Sequence, residues 1–311
     1  MIVDSSESSL KAFLRTLPKV DEVGVNARTG VLATRSIKTS SKSWAIDTAI
    51  SMVDLTTLEG ADTPGKVRAL CAKAVRPDAT DVSVPHVGAV CVYNDMVGVA
   101  RTALDEIGGK DIPVAAVSTA FPSGRASFKV KAQDTQDAID AGAAEIDMVI
   151  DRGAFLAGRY GEVFEEIVAI KEICGEKAHL KVILETGELV TLDNVRKASY
   201  LAMLAGADFI KTSTGKVSPA ATAPVVFVML EAVRDYFQMT KVRIGVKPAG
   251  GIRNTKDAIK QLVLVNEVAG EEWLNPSLFR IGASALLNDL LLQRMKMRDG
   301  YYAGPSYVTL D

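Results

Sequence analysis

Apolar and polar positions along this chain follow two alternating rhythms. Short apolar, β-branched runs recur: "AISMVDLTT" (49–57), "GAVCVY" (88–93), "PVAAVST" (113–119), "AEIDMVID" (144–151), "LKVILET" (180–186), "DFIKTST" (208–214), "RIGVKPAGG" (243–251) and "LFRIGAS" (278–284). Between them lie longer segments such as "TPGKVRALCAKAV" (63–75) and "GEVFEEIVAIKEIC" (161–174), where apolar residues return at i, i+3 and i+4 with charges opposite. The first rhythm predicts strands covered on both faces, the second amphipathic helices. In "TLDNVRKASYLAMLAGA" (191–207), Thr191 or Asp193 is placed to cap a helix and Gly206 to stop it.

The runs stand roughly 25–40 residues apart, room for one strand and one crossover helix each. Eight such units without a compositional break predict a TIM (β/α)8 barrel rather than an open doubly wound sheet, and no GxGxxG follows the first run. The expected division is an N-terminal helical extension over 1–45, a barrel over 46–295 and a tail over 296–311.

Composition narrows the chemistry. The chain has 311 residues, 48% of them hydrophobic, and a mean hydropathy of +0.16, enough to build a large core. A net charge of −2 gives no electrostatic reason to expect nucleic acid or a membrane surface as a partner. The start lacks the cationic and apolar regions of a secretory signal, and no run is long enough to span a bilayer. Three widely spaced cysteines without a CxxC pattern read as reduced thiols of a cytoplasmic protein. Two histidines are too few for a histidine-rich metal site, so no metal is expected.

The chemistry of a barrel sits at the C-terminal ends of its strands. There this sequence is polar where Val, Ile and Leu would be ordinary: Asp54, Asp147, Glu185, Lys211 and Lys247 mark the first, fourth, fifth, sixth and seventh runs. A single polar strand end has a bland explanation in a snorkelling side chain or a capped loop; five around one rim do not. A lysine of ordinary pKa near 10.4 is protonated at neutral pH, but burial and a second ammonium nearby both favour the free amine. Such an amine condenses with a carbonyl to a Schiff base, an electron sink for C–C cleavage, and a carboxylate can move the protons. Gly-rich turns in "STGK" (213–216), "PAGG" (248–251) and "IGAS" (281–284) follow the sixth, seventh and eighth runs, with Lys216 as a counter-charge. Loops after the last strands of such barrels bind phosphate with backbone N–H groups, so a phosphorylated substrate is expected.

The segments "DLTTL" (54–58), "VCVY" (90–93), "EIDMVI" (145–150), "LKVILETGEL" (180–189), "FIKTSTGK" (209–216), "GVKPAGGIR" (245–253) and "FRIGAS" (279–284) resemble those of deoxyribose-phosphate aldolases, in order and over roughly residues 50–292. The resemblance implies a metal-free, cofactor-free class I aldolase on a TIM barrel. Such an enzyme reversibly splits 2-deoxy-D-ribose 5-phosphate into D-glyceraldehyde 3-phosphate and acetaldehyde in deoxyribonucleotide catabolism. Carried over by motif, Lys211 is the Schiff-base lysine, Lys247 the neighbour that lowers its pKa, and Asp147 the proton donor and acceptor working through a water. Asp54, Thr56 and Glu185 fall to the supporting network. Cys91 matches a cysteine near the aldehyde end of the substrate, with a packed core cysteine an equal reading. Gly215, Lys216, Gly250, Gly251 and Ser284 would hold the phosphate. A homo-oligomer, dimer or higher, is also expected.

Two features depart from the pattern. Ala285 stands where some members carry a second serine, and the end "GYYAGPSYVTLD" has Tyr301, Tyr302 and Tyr307 but no terminal tyrosine, so no role is assigned there. Other Schiff-base aldolases share the lysine but lack the pairing of "KTSTGK" with "KPAGG". A catalytically silent phosphate-binding barrel would be expected to have lost Lys211, Lys247 or Asp147.

Overall fold

The computed structural model describes residues 6–304 and Val308; Tyr307 lies outside the described residues. Eight parallel strands make one sheet: β1 (Val53–Thr56), β2 (Ala89–Tyr93), β3 (Val114–Ser118), β4 (Glu145–Val149), β5 (His179–Ile183), β6 (Phe209–Lys211), β7 (Gly245–Lys247) and β8 (Ile281–Ala283). Each pairs with its sequence neighbour, except that β7 meets β8 only through parallel bridges, Val246 to Phe279 and Ala249 to Gly282. β8 also pairs with β1, so the ring closes. This is a TIM barrel, as the eight-fold rhythm predicts.

Every apolar run contains a strand, but the first begins too early. Residues 49–51 belong to the helix Thr39–Ser51, and the chain extends only at Val53. Ala49 and Ile50 are buried from that helix, and a short apolar run does not by itself distinguish a buried helical turn from a strand. The helices at 63–75 and 161–174 form as Pro64–Val75 and Tyr160–Cys174. Of the two cap candidates in the third segment, Thr191 caps Leu192–Leu204, its hydroxyl accepting from Asn194 N at 3.2 Å. Asp193 instead accepts from Val20 N at 2.7 Å, tying the N-terminal segment to the barrel.

Strand side chains alternate, and here the alternation separates two interiors. Outward residues such as Leu55, Val90, Val92, Ile146, Met148, Val182 and Val246 join the large core beneath the helices. Leu10, Leu14, Val25, Ile46 and Ile50 of the three helices before β1 (Glu7–Thr16, Glu22–Ala33, Thr39–Ser51) enter the same core. Inside the barrel the apolar packing is a small separate cluster of Leu58, Cys91, Ala115 and Val117, on the β2 and β3 side. Charged side chains take other inward positions: Asp54 on β1, Glu145 and Asp147 on β4, Lys181 on β5, Lys211 on β6 and Lys247 on β7, with Arg280 just before β8. Among the described residues no helix is long and apolar enough to cross a membrane.

Candidate active site

The inward charges order themselves by register. Lys211 and Lys247 are direct partners across β6 and β7. Like charges so placed repel, unless an anion lies between them. That anion is Asp147, whose Oδ2 accepts from both ammonium groups at 2.7 Å each. Its Oδ1 accepts from Lys181 at 3.1 Å, and Lys181 also donates to Glu145 at 2.5 Å. Arg280 donates to Glu145 at 3.0 Å and to Asp54 at 2.7 Å, and Asp54 meets Lys247 as an ion pair at 2.6 Å.

Followed round, Asp54–Arg280–Glu145–Lys181–Asp147–Lys247–Asp54 is a closed ring of alternating sign. Its three carboxylates and three cations cancel. Lys211 hangs from Asp147 as a seventh member, and among the described residues no second carboxylate pairs with it. All seven residues are buried. Burial is the largest influence on Lys211, and with the Lys247 ammonium beside it outweighs the pull of Asp147, so its pKa is lowered. Lys247 is buried too, but Asp147 and Asp54 together raise its pKa well above the ordinary value. For Asp54 and Asp147, burial opposes ionisation and is overcome by the surrounding cations, so both stay carboxylates. Two neighbouring lysines are thus driven apart, one toward the amine and one toward the ammonium.

Lys211 is also the member that reaches open space. It lines a cavity of about 800 Å³ at the C-terminal mouth, with Thr56, Gly215, Lys216, Gly250, Gly251 and Ser284. Glu145 and Arg280 line a separate cavity of about 500 Å³, together with residues such as His179 and Asp208 that begin or precede their strands. A larger cavity, about 920 Å³, lies against the helices Pro64–Val75 and Leu286–Asp299 and touches none of the ring, so its size carries no chemical weight. Gly282 makes room for the site: a Cβ there would stand 3.2 Å from Lys247 Cε and 2.9 Å from Ala249 Cβ. The loops after β6 and β7 are tied by Thr212 and Ser213, whose hydroxyls donate to Ala249 O at 3.1 and 2.6 Å.

The sequence-predicted residues therefore fall into three groups. Asp54, Asp147, Lys211 and Lys247 converge, though the two aspartates lie within their strands, a layer below the rim. Asp147 contacts both lysines directly, at 2.7 Å each. Gly215, Lys216, Gly250, Gly251, Ser284 and Thr56 line the mouth; Lys216 donates there to Glu59 Oε1 at 2.9 Å and Leu58 O at 2.7 Å. Thr56 donates to the backbone carbonyl of Asp54 at 2.7 Å rather than to the ring. Glu185 and Cys91 belong to neither set, although Cys91 lies close enough to Lys247, Asp147, Lys211 and Asp54 to feel their charges. Glu185 is buried in a left-handed conformation (φ 52°), its pKa raised by burial, and accepts from Thr214 Oγ1 at 2.5 Å, bracing the loop after β6. Cys91 is fully buried in the apolar cluster, and burial raises its thiol pKa.

Glu145, Lys181 and Arg280 were not singled out from the sequence. A signal existed for two of them: Glu145 precedes Asp147 by two residues and so shares its face, and Lys181 sits in a run otherwise apolar over 180–184.

Residues 48–291 match the profile of the DeoC/LacD family aldolase. A Homo sapiens protein named deoxyribose-phosphate aldolase is 46% identical over 281 residues, 88% of either chain, and its Mus musculus counterpart matches at the same identity and coverage. In structure, the tetrameric deoxyribose phosphate aldolase of Aeropyrum pernix superposes with a TM-score of 0.62 at 22% identity, over 85% of this chain and 100% of that one, a likeness of fold.

Proposed function

The chain belongs to the DeoC/LacD family of aldolases, and from that premise we propose that it reversibly cleaves 2-deoxy-D-ribose 5-phosphate to D-glyceraldehyde 3-phosphate and acetaldehyde. The Lys211 amine attacks the C1 carbonyl, water leaves, and a protonated Schiff base remains. Loss of the C3 hydroxyl proton then breaks the C2–C3 bond, whose electron pair moves into the iminium to give an enamine as glyceraldehyde 3-phosphate departs. Protonation at C2 and hydrolysis release acetaldehyde and restore the amine. Asp147 and Lys247 carry the protons, while Lys181, Arg280, Asp54 and Glu145 hold them in place. The glycine turns, Lys216 and Ser284 take the phosphate.

The observation that carries this reading is the position of Lys211. Of the four bases on the barrel floor, Lys181, Lys211, Lys247 and Arg280, it is the one outside the neutral ring, its pKa is lowered, and it alone lines the cavity with the glycine turns. The same reading makes the protein a cytoplasmic homo-oligomer acting in deoxyribose breakdown, without metal, cofactor, nucleic-acid or membrane partner. Its three free, buried cysteines and the tetramer of the Aeropyrum pernix relative support this.

Borohydride reduction in the presence of acetaldehyde tests the mechanism. One stable adduct, mapped by peptide mass spectrometry to Lys211, is expected. An adduct on Lys247, or none, would reverse the assignment.

A further inference from the structure

The mouth of the cavity contains a side chain that the motifs do not reach. Asn288 lies in the first turn of the helix Leu286–Asp299 and lines the cavity with Ser284, Ala285 and Gly251. Its carboxamide is not free to rotate. The buried Lys73, from the helix Pro64–Val75, donates to Asn288 Oδ1 at 2.6 Å. An ammonium has three donors and no acceptor, so the amide oxygen must face it and the NH2 group must face away. Among the described residues no hydrogen bond engages Asn288 Nδ2.

The surroundings say what the NH2 group is for. Ala285 occupies the N-cap with no side-chain hydrogen bond, so no cap side chain competes for the first N–H groups of that helix. Helix N-termini favour anions, and here one opens beside the glycine turns and Ser284. A methyl at 285 offers the phosphate nothing, whereas an amide one turn into the helix adds a donor on the same wall.

We propose that Asn288 donates a hydrogen bond to the phosphate of the substrate, with Lys73 as the positioning residue that fixes which end of the amide faces the cavity. This rests on the proposed phosphosugar reading and adds a binding residue to it. The site thereby selects a terminal phosphate dianion over a hydroxyl through a neutral donor, beyond the backbone N–H groups.

The readout is the ratio of kcat/KM for 2-deoxyribose 5-phosphate to that for 2-deoxyribose. A hydrogen bond to a charged group is worth roughly tenfold or more, so Asn288→Ala should lower the ratio by about that factor. Asn288→Asp keeps the shape and the Lys73 contact but presents an anion, and should lower it further, on the order of a hundredfold. A role in shape alone predicts the reverse order, since Asp is the closer isostere. Lys73→Met should lower the ratio a few-fold in the wild-type background and add nothing to Asn288→Ala, because it acts through that amide. Using both Asn288 variants keeps the test decisive if one misfolds. A wild-type ratio near one would overturn the phosphosugar reading itself. A high wild-type ratio that survives both substitutions, or equal losses on both sugars, would overturn the role of Asn288 alone.

Discussion

On the floor of the barrel, buried charges are neutralised by one another; at its rim, the Lys216 ammonium meets a carboxylate, a backbone carbonyl and solvent. The floor buries seven ionisable side chains, with Asp54, Asp147, Lys181 and Lys247 fully enclosed. Unpaired, each such ion costs several kcal/mol, and only the closed alternation of the ring makes the arrangement tolerable. At the rim, Gly215, Lys216 and Gly251 are exposed, and positive φ at Gly215, Gly250 and Gly251 bends the loops. On the proposed reading, a substrate anion there would meet backbone N–H groups and Lys216, whose own partners are Glu59 and the Leu58 carbonyl. The floor is thus built to set one pKa, and the rim to grip. Substitutions on the floor should damage chemistry or stability, and those at the rim should damage affinity.

The sharpest test contrasts the two lysines of the floor. Lys211→Met should reduce turnover to background and abolish borohydride trapping. Lys247→Met should cost about 100-fold or more in kcat through loss of proton movement. It should also shift the acid limb of the pH–rate profile to higher pH. The sign follows from the cause: removing an ammonium lets the pKa of Lys211 rise, so more alkaline conditions are needed for the same amine fraction. Trapping on Lys211 should therefore recover as pH is raised. An unmoved limb would mean that burial alone sets the amine.

Next is the integrity of the ring. Arg280→Met leaves Asp54 and Glu145 each short of a partner, and should destabilise the fold by about 3–5 kcal/mol in urea denaturation. In the unmodified protein, the lowered pKa values of Asp54 and Asp147 stabilise the fold above their ordinary value of 3.8, and this contribution is lost as pH falls through the depressed values. Arg280→Met should bring that acid loss to a higher pH. A variant as stable and as acid-resistant as the parent would show that the ring is dispensable.

The smallest effect is expected at the rim. Gly250 has φ 81°, and a Cβ there would stand 2.7 Å from Ala220 Cβ. Gly250→Ala should cost about 1–3 kcal/mol of stability. Its kinetic effect should fall on KM for the phosphorylated sugar, with kcat at saturation reduced less. A loss confined to kcat would place this glycine with the floor.

Much of this contrast was legible along the chain. Eight β-branched runs spaced by amphipathic segments determine the barrel, because a parallel sheet needs a crossover at every step and apolar cover on both faces. Lys211 and Gly215 of "FIKTSTGK" also stood out, since a charge or a turn residue at the end of an apolar run breaks a local pattern. Local pattern could not say where the run 49–57 changes from helix to strand, because an apolar turn and an apolar strand are buried alike. Nor could it show that Arg280, 226 residues from Asp54, closes a ring with it, or that Lys73 turns the amide of Asn288, 215 residues away. The identities of Lys211 and Lys247 are equal in sequence. Their opposite pKa shifts were decided by tertiary structure alone, which gives one lysine two carboxylates and leaves the other to share one, since Coulomb energy depends on distance through the fold and not along the chain.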